Sequence, residues 1–174
     1  RQAVQHCHDH GLTLFELHAR SNLAGFLMRD GRVDEARALT LQCLQAARAQ
    51  GLLIVQAMQL TMLARMEVRA GRLAAALPPI REALGLARGH GLHSELPLVL
   101  RTWAALCEAR GQVVQAARVL QCAIGMAATS PSDARFFGQL LSALPLDDRA
   151  RAEAAEQPLT PDEALADIEA DRPR

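Results

Sequence analysis

The densest run of chemically capable side chains stands at the start of the sequence: His6-Cys7-His8-Asp9-His10. His6 and His10 are one helical turn apart, so both imidazoles can face a single cation, with His18 or Asp9 as a further ligand. The run lacks the glutamate of the HExxH metal motif. His10 also has a counterpart forty residues on, His90, which favours surface histidines at a polar turn. No metal is therefore expected, and His6 and His10 are the candidates should one bind. Cys7 beside His8 or His10 offers a thiol and a base. Adjacent side chains on a helix diverge, however, and no third group follows to orient the base.

The rest of the sequence excludes whole classes of chemistry. All 19 basic residues are Arg and there is no Lys, so no phosphate-loop, kinase or Schiff-base lysine exists. No GxSxG, glycine-rich phosphate cradle or CxxC pair occurs. Asp147-Asp148 and Asp162-Glu163 read as helix caps rather than catalytic carboxylates. The four cysteines, at 7, 43, 107 and 122, are widely spread and read as small buried hydrophobes of a reducing cytoplasm. The expectation is a protein that is not an enzyme and carries no cofactor.

Composition agrees with a helical, water-facing chain. Of 174 residues, 50% are apolar, 22% charged and only 3% aromatic, with a formal net charge of zero. Zero net charge argues against direct nucleic-acid contact, which needs a surplus of cations. The longest apolar stretch, Leu52 to Ala64, holds two glutamines and ends at Arg65, short of a membrane span. The expected location is cytoplasmic. The first residue is Arg1 rather than Met, which reads as a segment of a longer protein.

The elements that must position any site follow from a repeat. Gly31, Gly71 and Gly111 are forty residues apart, and so are Gly11, Gly51 and Gly91, each of the latter followed by Leu. Small residues recur in the same register: Ala24, Ala64 and Ala104; Ala36, Ala76 and Ala116; Cys43, Ala83 and Ala123. Apolar residues at helical spacing fill the intervals, and each glycine supplies the positive φ that ends a helix. The reading is a stack of helical hairpins: helices over 12–29 and 33–49, 52–69 and 73–88, and 92–109 and 113–127. The repeats are 12–50, 52–90 and 92–128, after a partial repeat over 1–10. The small residues mark places where two helix axes approach closely.

The spacing Ala24, Gly31, Ala36, Cys43, and likewise Ala64, Gly71, Ala76, Ala83, resembles that of tetratricopeptide-like repeats. The period is forty residues instead of about 34, and most of the usual aromatics are missing. Long Ala/Arg-rich repeats of this kind are similar to the helical segments near the C-terminus of MalT-like bacterial signal-transducing ATPases. The stretch Leu159-Thr160-Pro161-Asp162-Glu163-Ala164-Leu165 is similar to a short terminal helix found there. The resemblance implies an all-α, right-handed α-α superhelix. It also implies a non-catalytic interaction module, the sensor or scaffold segment of a larger transcriptional regulator. In the family's register the first helix of each hairpin lines a concave groove. The groove positions are His18, Ser21, Gly25, Met28 and Arg29; then Met58, Thr61, Arg65, Val68 and Arg69; then Leu98, Arg101, Ala105, Glu108 and Ala109. Arg29, Arg65, Arg69 and Arg101 then share one groove. Guanidinium forks suit carboxylates and phosphates. The implied occupant is a protein or peptide partner, another part of the parent chain, or a small anionic ligand. The competing reading is four solvated arginines, paired with Glu67 or Glu108. The third class, a metal enzyme built on His6 to His18, is the least favoured.

Three local features qualify the pattern. Pro78-Pro79 should kink the fourth helix or restart it at Pro79. Pro97 fits the first turn of a helix capped by Ser94. Trp103 is expected to pack between repeats. Beyond 128 the pattern changes to a cap over 129–174. Ser130-Pro131 opens a helix to about Leu144, and Pro145 breaks it. Asp147 or Asp148 caps another helix to about Glu156, and Thr160 to Glu163 forms a capping box. Phe136-Phe137 should anchor the cap. Residues 131–174 carry 10 acids and 5 arginines, against 9 and 14 before them, so the two parts are −5 and +5. The plainer reading is a solvated acidic end; the alternative is an acidic segment lying against the basic repeats.

Overall fold

The computed structural model describes residues 13–127 and 130–171. The cluster at His6 to His10, Cys7 and the partial repeat over 1–10 lie outside the described residues. The described residues form nine helices and no strand, so the fold is all-α. Three hairpins come first: α1 (Thr13–Arg29) with α2 (Val33–Ala49), α3 (Leu53–Arg69) with α4 (Leu73–Gly89), and α5 (Leu96–Ala109) with α6 (Val113–Met126). The cap contains α7 (Pro131–Ala143), α8 (Asp148–Glu156) and α9 (Pro161–Ala170).

The helix ends explain the period. Gly31, Gly51, Gly71, Gly91 and Gly111 all have positive φ, between 66° and 79°. At each, the next residue's N–H returns to the carbonyl five residues back: Arg32 to Leu27, Leu52 to Ala47, Arg72 to Glu67, Leu92 to Ala87 and Gln112 to Cys107, at 2.8–2.9 Å. This closure satisfies carbonyls that a helix end otherwise leaves bare. It recurs every twenty residues from Gly31 to Gly111, so α1 to α5 all stop in the same way and forty residues return the chain to register. The recurring small residues are buried throughout, from Ala24, Ala64 and Ala104 to Cys43, Ala83 and Ala123. Helix α3 packs on α1, and α5 on α3, so the first helices of the hairpins form one inner row. One apolar cluster runs from Leu44 of α2 to Ile168 of α9 and joins the cap to the hairpins.

One expectation is narrowed and one corrected. Helix α4 is continuous through Pro78 and Pro79 and does not restart. The prolines deprive the Ala74 and Ala75 carbonyls of their usual donors, but both alanines are exposed, so water can take those bonds. Helix α5 begins at Leu96 and not at 92, and Ser94 is not its cap. Pro97 cannot donate to the carbonyl of His93, so a helix begun at Leu92 fails in its second turn. The chain instead turns through residues 92–95, and Pro97 enters the first turn of a fresh helix.

The cap starts as its sequence dictates. Asp147 accepts from the Ala150 N–H at 2.7 Å, and Thr160 and Glu163 form a reciprocal capping box. Helix α8 is largely exposed, whereas α9 lies against α4, α5 and α6. Ala164, Leu165 and Ile168 enter the core. Arg81 donates to the carbonyls of Ile168 and Glu169, Arg88 meets Glu169 at 2.8 Å, and Arg110 meets Asp171 at 2.8 Å. The acidic terminal helix therefore lies against basic repeats and is not merely a solvated end.

Candidate functional site

The forty-residue period stacks side chains in columns across α1, α3 and α5: Ser21, Thr61 and Arg101; Gly25, Arg65 and Ala105; Met28, Val68 and Glu108; Arg29, Arg69 and Ala109. Gly25 and Ala105 flank Arg65, Thr61 precedes Arg101 and Ala109 follows Arg69, so small residues leave room beside these guanidiniums. Two cavities result. One of about 370 Å³ is lined by Arg65, Arg69 and Arg101 together with Val68, Ala105 and Glu108. The other, about 660 Å³, is lined by Ser21, Asn22, Met28 and Arg29 and again by Arg65 and Arg69. The shared pair Arg65 and Arg69 makes the two into one groove, which brings Arg29, Arg65, Arg69 and Arg101 together.

Electrostatics set this groove apart from the other arginines. Among the described residues, none of these four makes an ion pair, and neither expected carboxylate partner serves. Glu67, only 2% exposed, faces the other way and accepts from Arg37 Nε at 2.8 Å and from Arg72 Nε. Those hydrogen bonds, Arg72's first, hold the Glu67 carboxyl below its ordinary range. Glu108 stands exposed on the rim of the smaller cavity without an ion pair. Arg65 and Arg101 are instead half-buried beside like charge. Burial, then Arg69, pushes the Arg65 pKa down. Burial, then Arg65, pushes that of Arg101 to about 10, against the weaker pull of the Asp133 carboxylate. Aromatic faces partly compensate: the Arg101 guanidinium lies 5.4 Å from the Phe136 ring centre, and that of Arg29 lies 4.5 Å from Phe26. The arrangement can grip a carboxylate or phosphate by several forked hydrogen bonds above an apolar floor.

The structure places the remaining candidates outside both cavities. His18 and Met58 are half-buried one turn nearer the start of their helices. Thr61 is buried and donates its hydroxyl to the Ala57 carbonyl at 2.8 Å. Leu98 packs against the core. Lining residues not anticipated from the register include Asn22, Phe26 and Met62, and a wall from the cap, Phe136, Leu140, Ala143 and Leu144. The Phe136-Phe137 pair carried part of that signal. Consecutive helical residues diverge, so Phe137 anchors the cap at 1% exposure while Phe136, 41% exposed, meets Arg101 in the groove.

Trp103 and the three described cysteines are buried. Trp103 is buried in the core, with the Arg110 guanidinium 5.9 Å from its ring centre. Cys43, Cys107 and Cys122 are free and buried. Burial raises their thiol pKa values, to about 11 for Cys43 and about 12 for Cys107, away from the thiolate that nucleophilic chemistry needs. Among the described residues no three His, Cys, Asp or Glu stand together as metal ligands, and no helix is long and apolar enough to cross a membrane. The chain matches no protein-family model, and no curated protein or solved structure is similar to it.

Proposed function

We propose that this chain is a non-catalytic binding module whose inner groove takes an acidic segment of a partner protein or of the same parent chain. The observation that carries this reading is the set of four arginines in one groove, none of them ion-paired among the described residues. Several arginines elsewhere meet carboxylates: Arg37 and Arg72 pair with Glu67, Arg48 with Glu82, Arg88 with Glu169, Arg110 with Asp171. Half-buried cations left together are costly unless an anion comes to them. In the setting that the repeat pattern resembles, the module serves as the sensor or scaffold segment of a larger bacterial regulator.

The test is the anisotropy of a fluorescent Asp/Glu-rich peptide titrated with the chain. Binding should weaken as salt rises, since it rests on exposed and half-exposed charge. It should fall by tenfold or more in Arg65→Ala/Arg69→Ala, the pair shared by both cavities. Peptide binding that survives the double substitution refutes the groove assignment.

A further inference from the structure

The inner groove is closed beyond α5. Helix α7 packs on α6, and its residues Phe136, Leu140 and Ala143, with Leu144 just after it, stand at the end of the smaller cavity. The lining divides by chemistry. The cations come from α3 and α5: Arg65, Arg69 and Arg101. The large apolar side chains come mostly from α6 and the cap: Leu120, Phe136, Leu140 and Leu144. Eight of the twelve lining residues are apolar, and the volume, about 370 Å³, lies in the range of small-molecule sites. An inorganic anion here leaves the apolar wall wet. A neutral hydrocarbon leaves three guanidiniums facing a single carboxylate, that of Glu108 on the rim. A ligand that satisfies both walls carries one anionic head and one apolar body.

We propose that the cavity between α3, α5 and α7 is a binding site for a small amphiphilic carboxylate, an alkanoate or aromatic acid. Arg65, Arg69 and Arg101 hold its head, and Phe136, Leu140 and Leu144 cover its body. The proposal rests on the reading that the groove takes anions, but it places a separable small molecule at the closed end and not a chain along the length. The Arg101 guanidinium already rests 5.4 Å from the Phe136 ring centre in the cavity lining before any ligand arrives, which lowers the ordering cost of binding. A ligand here touches the hairpins with its head and the cap with its body, so it ties α7 to α3 and α5.

The experiment is calorimetric titration of the full chain with octanoate, 1-octanol and acetate, each at the same ionic strength. Octanoate should bind at one site per chain and at least tenfold more tightly than either the neutral or the short analogue. Arg101→Gln should cost octanoate tenfold or more. Ala143→Trp, which fills the cavity from an exposed position on α7, should abolish octanoate binding, while Arg48→Gln, at an exposed ion pair with Glu82 outside both cavities, should leave it unchanged. Circular dichroism establishes that each variant folds, and slower amide exchange in α7 with octanoate reports the tie to the cap. Equal binding of octanoate and octanol overturns the site, as does octanoate binding indifferent to Ala143→Trp. An acidic peptide that binds where octanoate does not sinks this inference alone. Octanoate binding without peptide binding upholds it and sinks the peptide reading.

Discussion

Replacing Arg101 with Met should make the protein more stable while it disables the groove. The perturbation removes a cation that folding disfavours. Arg101 is half-buried, Arg65 repels it, and its pKa falls from 12.5 to about 10. At about 1.4 kcal/mol per tenfold change in proton affinity, that fall corresponds to roughly 3 kcal/mol. The stacking on Phe136 returns about 0.5–1 kcal/mol. Met keeps most of the aliphatic stem, and its flexible thioether can pack on the ring. The net expectation is a gain of about 2 kcal/mol, which in a chain of this size is a rise in Tm of roughly 4–8 °C. The sign follows from linkage: a base whose folded pKa is depressed costs stability in full below the folded value. The cost fades only as pH climbs through about 10 towards the unfolded value. Differential scanning calorimetry at pH 7 is therefore on the plateau. Millimolar phosphate should raise the Tm of the native chain more than that of the variant, because only the native chain keeps the full set of guanidiniums. A variant that melts several degrees below the native chain refutes the reasoning, since Arg101 then has a stabilising partner.

Three further outcomes are expected. Glu67→Gln should lower stability by about 1–2 kcal/mol, because it weakens two charge-assisted hydrogen bonds to half-exposed arginines. The folded pKa of Glu67 is depressed, so in urea melts the gap from the native chain should hold above about pH 5 and close as pH falls below the unfolded value of about 4.3. Gly→Ala should change sign with position. At Gly71, where φ is +72° and nothing lies within 4 Å, the cost should be conformational and about 1–2 kcal/mol; at Gly85, inside α4 and unobstructed, the same change should stabilise by about 0.5–1 kcal/mol in chemical denaturation. Arg81→Met should loosen α9 by removing the donors to the Ile168 and Glu169 carbonyls, and limited proteolysis should then cut the segment between α8 and α9 faster.

What could be read from the residues alone was local and periodic. A glycine every twenty residues states where helices end, because only glycine takes that backbone conformation without strain. The alanines at Ala24, Ala64 and Ala104 state where axes approach, because their size sets the distance. The capping box at Thr160 is complete within four residues. The start of α5 was misplaced because the pattern of its neighbours was extended through Pro97, whose missing donor decides the matter. The continuity of α4 was hidden because solvent exposure of Ala74 and Ala75, and not the proline pair itself, sets the cost. In the groove, the columns containing Arg65, Arg69 and Arg101 were legible from the period. The wall from α7 was not, because the cap breaks the repeat and its packing is long-range. Nor could sequence say that Glu67 turns towards Arg37 and Arg72 and away from the groove arginines.

The central claim is that Arg29, Arg65, Arg69 and Arg101 act as one anion-binding surface. The most direct test follows the side-chain Nε–H resonances of arginine by ¹⁵N NMR while an Asp/Glu-rich peptide is titrated into the chain. The account predicts that these four resonances shift together along one saturation curve, while those of Arg37, Arg72 and Arg81 stay in place. Shifts confined to Arg37, Arg72, Arg81 or Arg88, or no saturable shift in the groove set, contradict it.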